Sequence, residues 1–115
     1  MSEITESKSF KIEDRPFESI LTSFENAIAL YIYEEIPRIG TFGVSVPGTS
    51  IMPASTLYIT GAKNEHYAKM IGERLATKLQ KLVLISLSVK DINTELIVEL
   101  MQKIESTFFD KKSEN

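Results

Sequence analysis

The run Leu82-Val83-Leu84-Ile85-Ser86-Leu87-Ser88-Val89 lies between two stretches whose apolar residues recur at helical spacing. Within it the residues alternate as in a strand. Val83, Ile85, Leu87 and Val89 share a wholly apolar face, whereas Leu82, Leu84, Ser86 and Ser88 share a face that is only half apolar. A strand held this closely between two amphipathic helices has to carry them on its apolar side. The second face is too apolar for open water and too polar for a core, which points to a partner protein rather than a substrate.

Upstream, alternation with period two recurs. Phe10 and Ile12 alternate with Lys11 and Glu13, predicting a first strand. Asp14-Arg15-Pro16 reads as a turn, because Asp opens turns and Pro fixes φ. Residues 17–24 predict a second strand with Ile20, Thr22 and Phe24 on one face. A helix over 16–24 competes, since Phe17, Ile20, Leu21 and Phe24 also fit a helical period. Residues 27–35 predict a third strand, 41–46 a fourth and 55–60 a fifth. Residues 36–40 are a turn, and 47–54, with two prolines and a glycine, are the clearest loop. After Gly61 the period lengthens to 3.6. Asn64 opens a helix to about Lys81, with a stripe of Ala68, Ile71, Gly72, Leu75 and Leu79. Asp91 or Asn93 caps a last helix with Leu96, Ile97, Leu100, Met101, Ile104 and Phe108 on one side.

The expected fold is therefore α+β: a six-stranded, mainly antiparallel sheet, in chain order β-β-β-β-β-α-β-α, with two helices packed on one face. Residues 8–109 form one domain, and 1–7 and 110–115 are flexible tails. Sorted by alternation, one sheet face gathers Ile28, Leu30, Ile32, Phe42, Val44, Val46, Leu57, Ile59, Val83, Ile85, Leu87 and Val89, and the helices belong there. The other gathers Ala27, Ala29, Tyr31, Tyr33, Thr41, Gly43, Ser45, Thr56, Tyr58, Thr60, Leu82, Leu84, Ser86 and Ser88, almost without charge. A solvated sheet face carries Lys and Glu between its Thr residues. Depletion of charge with tyrosine present marks the centre of a protein interface. Tyr31, Tyr33, Ser45, Tyr58, Leu84 and Ser86 are the expected partner-interface residues.

Chemistry finds little support. His66 is the single histidine and there is no cysteine, so no thiolate metal site or thiol nucleophile can be assembled and zinc chemistry is not expected. No glycine cluster leads into Gly-Lys-Ser/Thr, and Gly40-Thr41-Phe42-Gly43 runs into a strand rather than a helix. Ser86 and Ser88 lack a nucleophile elbow, and Glu34-Glu35 sits at a strand end where solvated carboxylates are usual. No enzyme, cofactor or metal is expected. A net charge of −3 without a Lys/Arg cluster argues against nucleic acid. The acidic, polar N-terminus is no targeting peptide, and no apolar run approaches the ~20 residues of a membrane span. A soluble protein of the cytoplasm or nucleus is expected.

Several local strings carry a family likeness: the Pro16 turn between two N-terminal strands, Pro37-Arg38-Ile39-Gly40-Thr41, the Pro/Ser loop 47–54, Ile59-Thr60-Gly61, and Leu87-Ser88-Val89-Lys90-Asp91 before the last helix. From about Lys8 to Ile104, in element order and loop lengths, the chain resembles the proteasome assembly chaperone 3 family. The sister chaperone 4 family looks similar through the strand-helix-strand-helix half. The resemblance implies an ATP-independent chaperone that pairs with a chaperone 4-like protein, or with itself when alone. It further implies binding to an α-type subunit, α5-like, and promotion of 20S proteasome α-ring assembly. Thr49, Ser50, Ile51 and Met52 are then the expected client-contact loop. The rival reading is a roadblock- or longin-like dimeric scaffold in trafficking or signalling, although those folds often open with a helix.

Overall fold

The computed structural model describes residues 4–61 and 64–109. Two N-terminal strands, β1 (Thr5–Ile12) and β2 (Arg15–Ser23), form a hairpin. Its two-residue turn is Glu13-Asp14, with φ of 55° and 66°. Positive φ at both central positions gives a turn whose twist matches the strands it joins. The turn thus falls one residue before the expected Asp14-Arg15-Pro16, and Pro16 is already in β2, opposite Lys11. The helical alternative for 16–24 is overturned: β2 pairs with β1 on one side and β3 (Ala27–Glu34) on the other.

The remaining elements are β4 (Thr41–Val46), β5 (Ser55–Thr60), α1 (Glu65–Leu79), β6 (Leu82–Ser88) and α2 (Thr94–Ile104), and α2 runs into one π-helical turn, Glu105–Phe109. The six strands form a sheet in the order β1-β2-β3-β6-β4-β5. Only β3 and β6 pair in parallel; every other pair is antiparallel. The last of the described strands is therefore central in the sheet. Thr5–Ser7, expected in a tail, belong to β1. Thr5 and Thr22 hydroxyls meet at 3.2 Å and the Ser7 hydroxyl donates to Glu18 at 2.9 Å, so side-chain bonds hold a stretch that has no apolar anchor. The expected C-terminal tail, 110–115, lies outside the described residues.

The core forms where the expected aliphatics of β3 and β6 meet the helix stripes. Ile28, Leu30 and Ile32 sit opposite Val83, Ile85 and Leu87, all at most 2% exposed. Ala68, Ile71, Leu75 and Ala76 of α1 and Leu96, Ile97, Leu100 and Ile104 of α2 cover them. Each branched side chain among them contributes about 1.5–3 kcal/mol by leaving water.

On β4 the expected face assignment is reversed. Thr41, Gly43 and Ser45 stand opposite Leu87, Ile85 and Val83 and so face the helices, while Phe42 and Val44 stand opposite Ser86 and Leu84 on the uncovered side. The cause is close approach of α1: a Cβ on Gly72 would lie 2.5 Å from the Ser45 hydroxyl. Only small side chains fit beneath the helix there. On β5 the ladder shifts register beside Val44/Ser45. Thr56 then joins Ile59 on the helix side, and Leu57 is thrown out, 69% exposed. A bulge inserts one residue and resets the alternation beyond it.

Two ion pairs fasten the layers. Arg15 grips Glu34 with two bonds of 2.9 Å and donates to the Lys90 and Asp91 carbonyls, while the Lys90 N–H donates to Glu34 at 3.2 Å. The β1–β2 hairpin, the end of β3 and the turn into α2 are joined at that point. The Arg15 hydrogen bond holds the Glu34 carboxyl below its usual range, against the opposing effect of burial. Arg74 on α1 makes a forked pair with the buried Glu105 in the π turn. The Asn93 side chain caps α2 by accepting from the Leu96 N–H at 2.8 Å. Asn64 precedes α1 in a left-handed conformation without a side-chain cap bond.

Candidate protein-docking face

Both helices pack on one side, and among the described residues no other element covers the opposite face of the sheet. The register arranges that face in rows. One row runs Ser7, Ile20, Tyr31, Ser86, Phe42, Thr60; the next runs Thr5, Thr22, Ala29, Leu84, Val44; a third runs Ser9, Glu18, Tyr33, Ser88. Ile20, Tyr31, Phe42, Val44, Leu82 and Leu84 are half-buried without any layer above them. Among the strand residues on this side, only Lys11 and Glu18 carry charge.

The expected interface residues divide. Tyr31, Tyr33, Leu84 and Ser86 come together on the open face. The Tyr58 backbone lies in the same row as Leu84, opposite Val44, and its side chain lies outside the described residues. Ser45 is a correction: it is fully buried on the helix side, 3.0 Å from the Thr56 hydroxyl. Thr56 in turn donates to Glu73 on α1 at 2.6 Å. Ser45 thus belongs to a buried polar chain under α1. Ser86, though on the open face, is fully buried, and its hydroxyl accepts from the Gly40 N–H at 3.0 Å. It fixes the entry to β4 rather than offering a contact.

Tyr33 is nearly buried. Burial, then its hydrogen bond to Glu18, pushes the phenol above its ordinary range. Phe42, Val44 and Val46, expected in the core, instead enlarge the open face, and Ile20 joins them from β2. Alternation alone cannot tell which side of β4 faces inward; Gly72 in the helix stripe, paired with the small residues Gly43 and Ser45, is the signal that could have.

Thr49, Ser50, Ile51 and Met52 are all exposed on the loop between β4 and β5. The loop is closed on itself: the Thr49 N–H donates to the Met52 carbonyl at 2.7 Å, and the Thr49 hydroxyl accepts from the N–H groups of Ile51 and Met52 at 3.3 and 3.1 Å. This turn holds Ile51, 86% exposed, and Met52 at its tip. Ile36 and Ile39 form a second exposed apolar pair on the loop before β4.

Among the described residues no group of three His, Cys, Asp or Glu side chains is placed to hold a metal, and no helix is long and apolar enough to cross a membrane. The open face is broad and poor in charge, the composition found at the centres of protein interfaces.

No family model and no curated protein matches this sequence. The structure is similar to a chain in the crystal structure of a chaperone complex for yeast 20S proteasome assembly, with a TM-score of 0.60, 13% identity and 96% of each chain covered. The two chains thus share a fold from end to end, a mainly antiparallel sheet with two helices on one side, on largely different sequences.

Proposed function

We propose that this protein is a proteasome assembly chaperone of the chaperone 3 type. It pairs through its open sheet face with a structurally similar, chaperone 4-like chain. The pair binds an α5-like subunit and promotes α-ring assembly of the 20S proteasome without hydrolysing ATP, in the cytoplasm or nucleus. The observation that carries this reading is the end-to-end likeness to a chain of a yeast 20S proteasome assembly chaperone complex. The open face agrees with it: a row of half-buried aliphatic and aromatic side chains with two charges at one corner has the composition of an interface centre. The self-closed loop with Ile51 and Met52 at its tip is the client contact, because a pre-formed apolar tip loses little entropy on binding.

Affinity purification of the tagged chain from native lysate tests the reading. Proteasome α-type subunits and a second small chaperone co-purify with wild type. Tyr31→Asp with Leu84→Asp removes the chaperone partner, and deletion of residues 49–53 removes the α subunit. Retrieval of neither class of protein by the wild-type chain refutes the assignment.

A further inference from the structure

Glu18 is the one acidic strand residue on the open face, half-buried and one strand in from the edge. It accepts a hydrogen bond from the Ser7 hydroxyl at 2.9 Å and stands opposite Tyr33 in the ladder. Both neighbours are neutral, and no cation among the described residues pairs with it. Its side chain is half-buried on the face where a partner would dock. Covering it without an opposite charge strands a buried ion, which costs an interface much of its affinity.

A second copy of this chain answers that need poorly. Its open face offers one strand cation, Lys11, at the β1–β2 corner. Two-fold symmetry makes the Glu18–Lys11 contact twice, so the axis passes beside both residues. Two sheets in aligned packing cross at about 30°. In that aligned packing, with the axis at that corner, only the β1–β2 hairpins or the strand ends overlap, and Tyr31, Phe42, Val44 and Leu84 stay uncovered. Centring the interface on those residues instead buries Glu18 against an uncharged surface.

Resting on the reading of this face as a docking surface, we propose that Glu18 sets its specificity. It disfavours self-pairing and selects a different chain whose facing sheet places a Lys or Arg opposite it. The partner chemistry is thus an apolar sheet face with one cation, an element that both repels the wrong partner and rewards the right one.

Sedimentation velocity of the purified full chain compares self-association of wild type, Glu18→Gln, Leu84→Asp and the double variant, with circular dichroism as the folding control and Tyr31→Asp replacing any Leu84→Asp chain that does not fold. Glu18→Gln tightens self-association by about tenfold or more, and Leu84→Asp added to it removes the gain. If Glu18→Gln brings no gain while Leu84→Asp still weakens self-association, the docking face stands and the role of Glu18 falls. A gain that survives Leu84→Asp lies elsewhere on the molecule and overturns both, as does an unchanged result in every variant.

Discussion

The two halves of the sheet solve the same problem in opposite ways. Where β3 and β6 pair, the helix side is filled by Ile28, Leu30, Ile32, Val83, Ile85 and Leu87, and the open side holds Ala27, Ala29, Ser86 and Ser88 between its tyrosines and leucines. Where β4 and β5 pair, the helix side holds Thr41, Gly43, Ser45 and Thr56, and Phe42, Val44 and Val46 turn outward. The difference comes from helix height. Over β4 the α1 backbone comes down onto the sheet at Gly72, and polar groups close the gap through Ser45, Thr56 and Glu73. Nearby, α1 and α2 rest on branched side chains. Lowering one helix displaces bulky residues to the far side, and that displacement gives the open face much of its apolar surface.

The contrast can be broken most severely in the first half. Ile85→Ala leaves a cavity at the centre of the sheet, where the side chain is 1% exposed, and is expected to cost about 2–5 kcal/mol in chemical denaturation. In the second half the vulnerable change is enlargement. Gly72→Ala pushes a methyl against Ser45 and is expected to cost about 1–3 kcal/mol. Ser45→Gly in the same chain recovers part of that loss, a coupling that a double-mutant cycle measures directly. The open face responds least. Val44→Thr, half-buried with nothing packed over it, should change stability by about 0.5 kcal/mol or less, while weakening partner binding in a titration. A loss from Val44→Thr as large as that from Ile85→Ala would mean that the chain covers this face itself.

Most of the element list was legible in the sequence because each element carries its own period. The β6 run, the α1 and α2 stripes and the Pro/Gly loop 47–54 all appear at their expected positions. Sidedness was legible only where size and polarity agree. On β3 and β6 they do. On β4 the apolar residues are the large ones, so a rule that buries apolar side chains selects the wrong face, and the height of α1 that decides the matter is a tertiary property. The bulge at Leu57 was hidden for a related reason: one inserted residue leaves no mark in a six-residue run such as Ser55–Thr60. Strand order was not legible either, since the β3–β6 pairing is made by a crossover through β4, β5 and α1. Of the expected interface residues, Tyr31, Tyr33 and Leu84 lie on the face that alternation assigned them, because size and polarity agree on their strands. Ser45 was misplaced with its strand, and Glu18 was passed over because its strand was judged by its apolar residues alone.

The central place of β6 has a consequence for synthesis. A ribosome adds residues at about 5–20 per second, and domains form as their parts emerge. The β1–β2–β3 meander can assemble from neighbouring residues, and so can the β4–β5 hairpin, but the inner edges of β3 and β4 meet only through residues 82–88. Until that segment leaves the exit tunnel, the nascent chain holds two small sheets with exposed edges suited to pairing with another chain. A chain truncated before Leu82 would keep those edges open permanently. Of the described strands, the last to be made is thus the one that converts two sticky fragments into a single sheet.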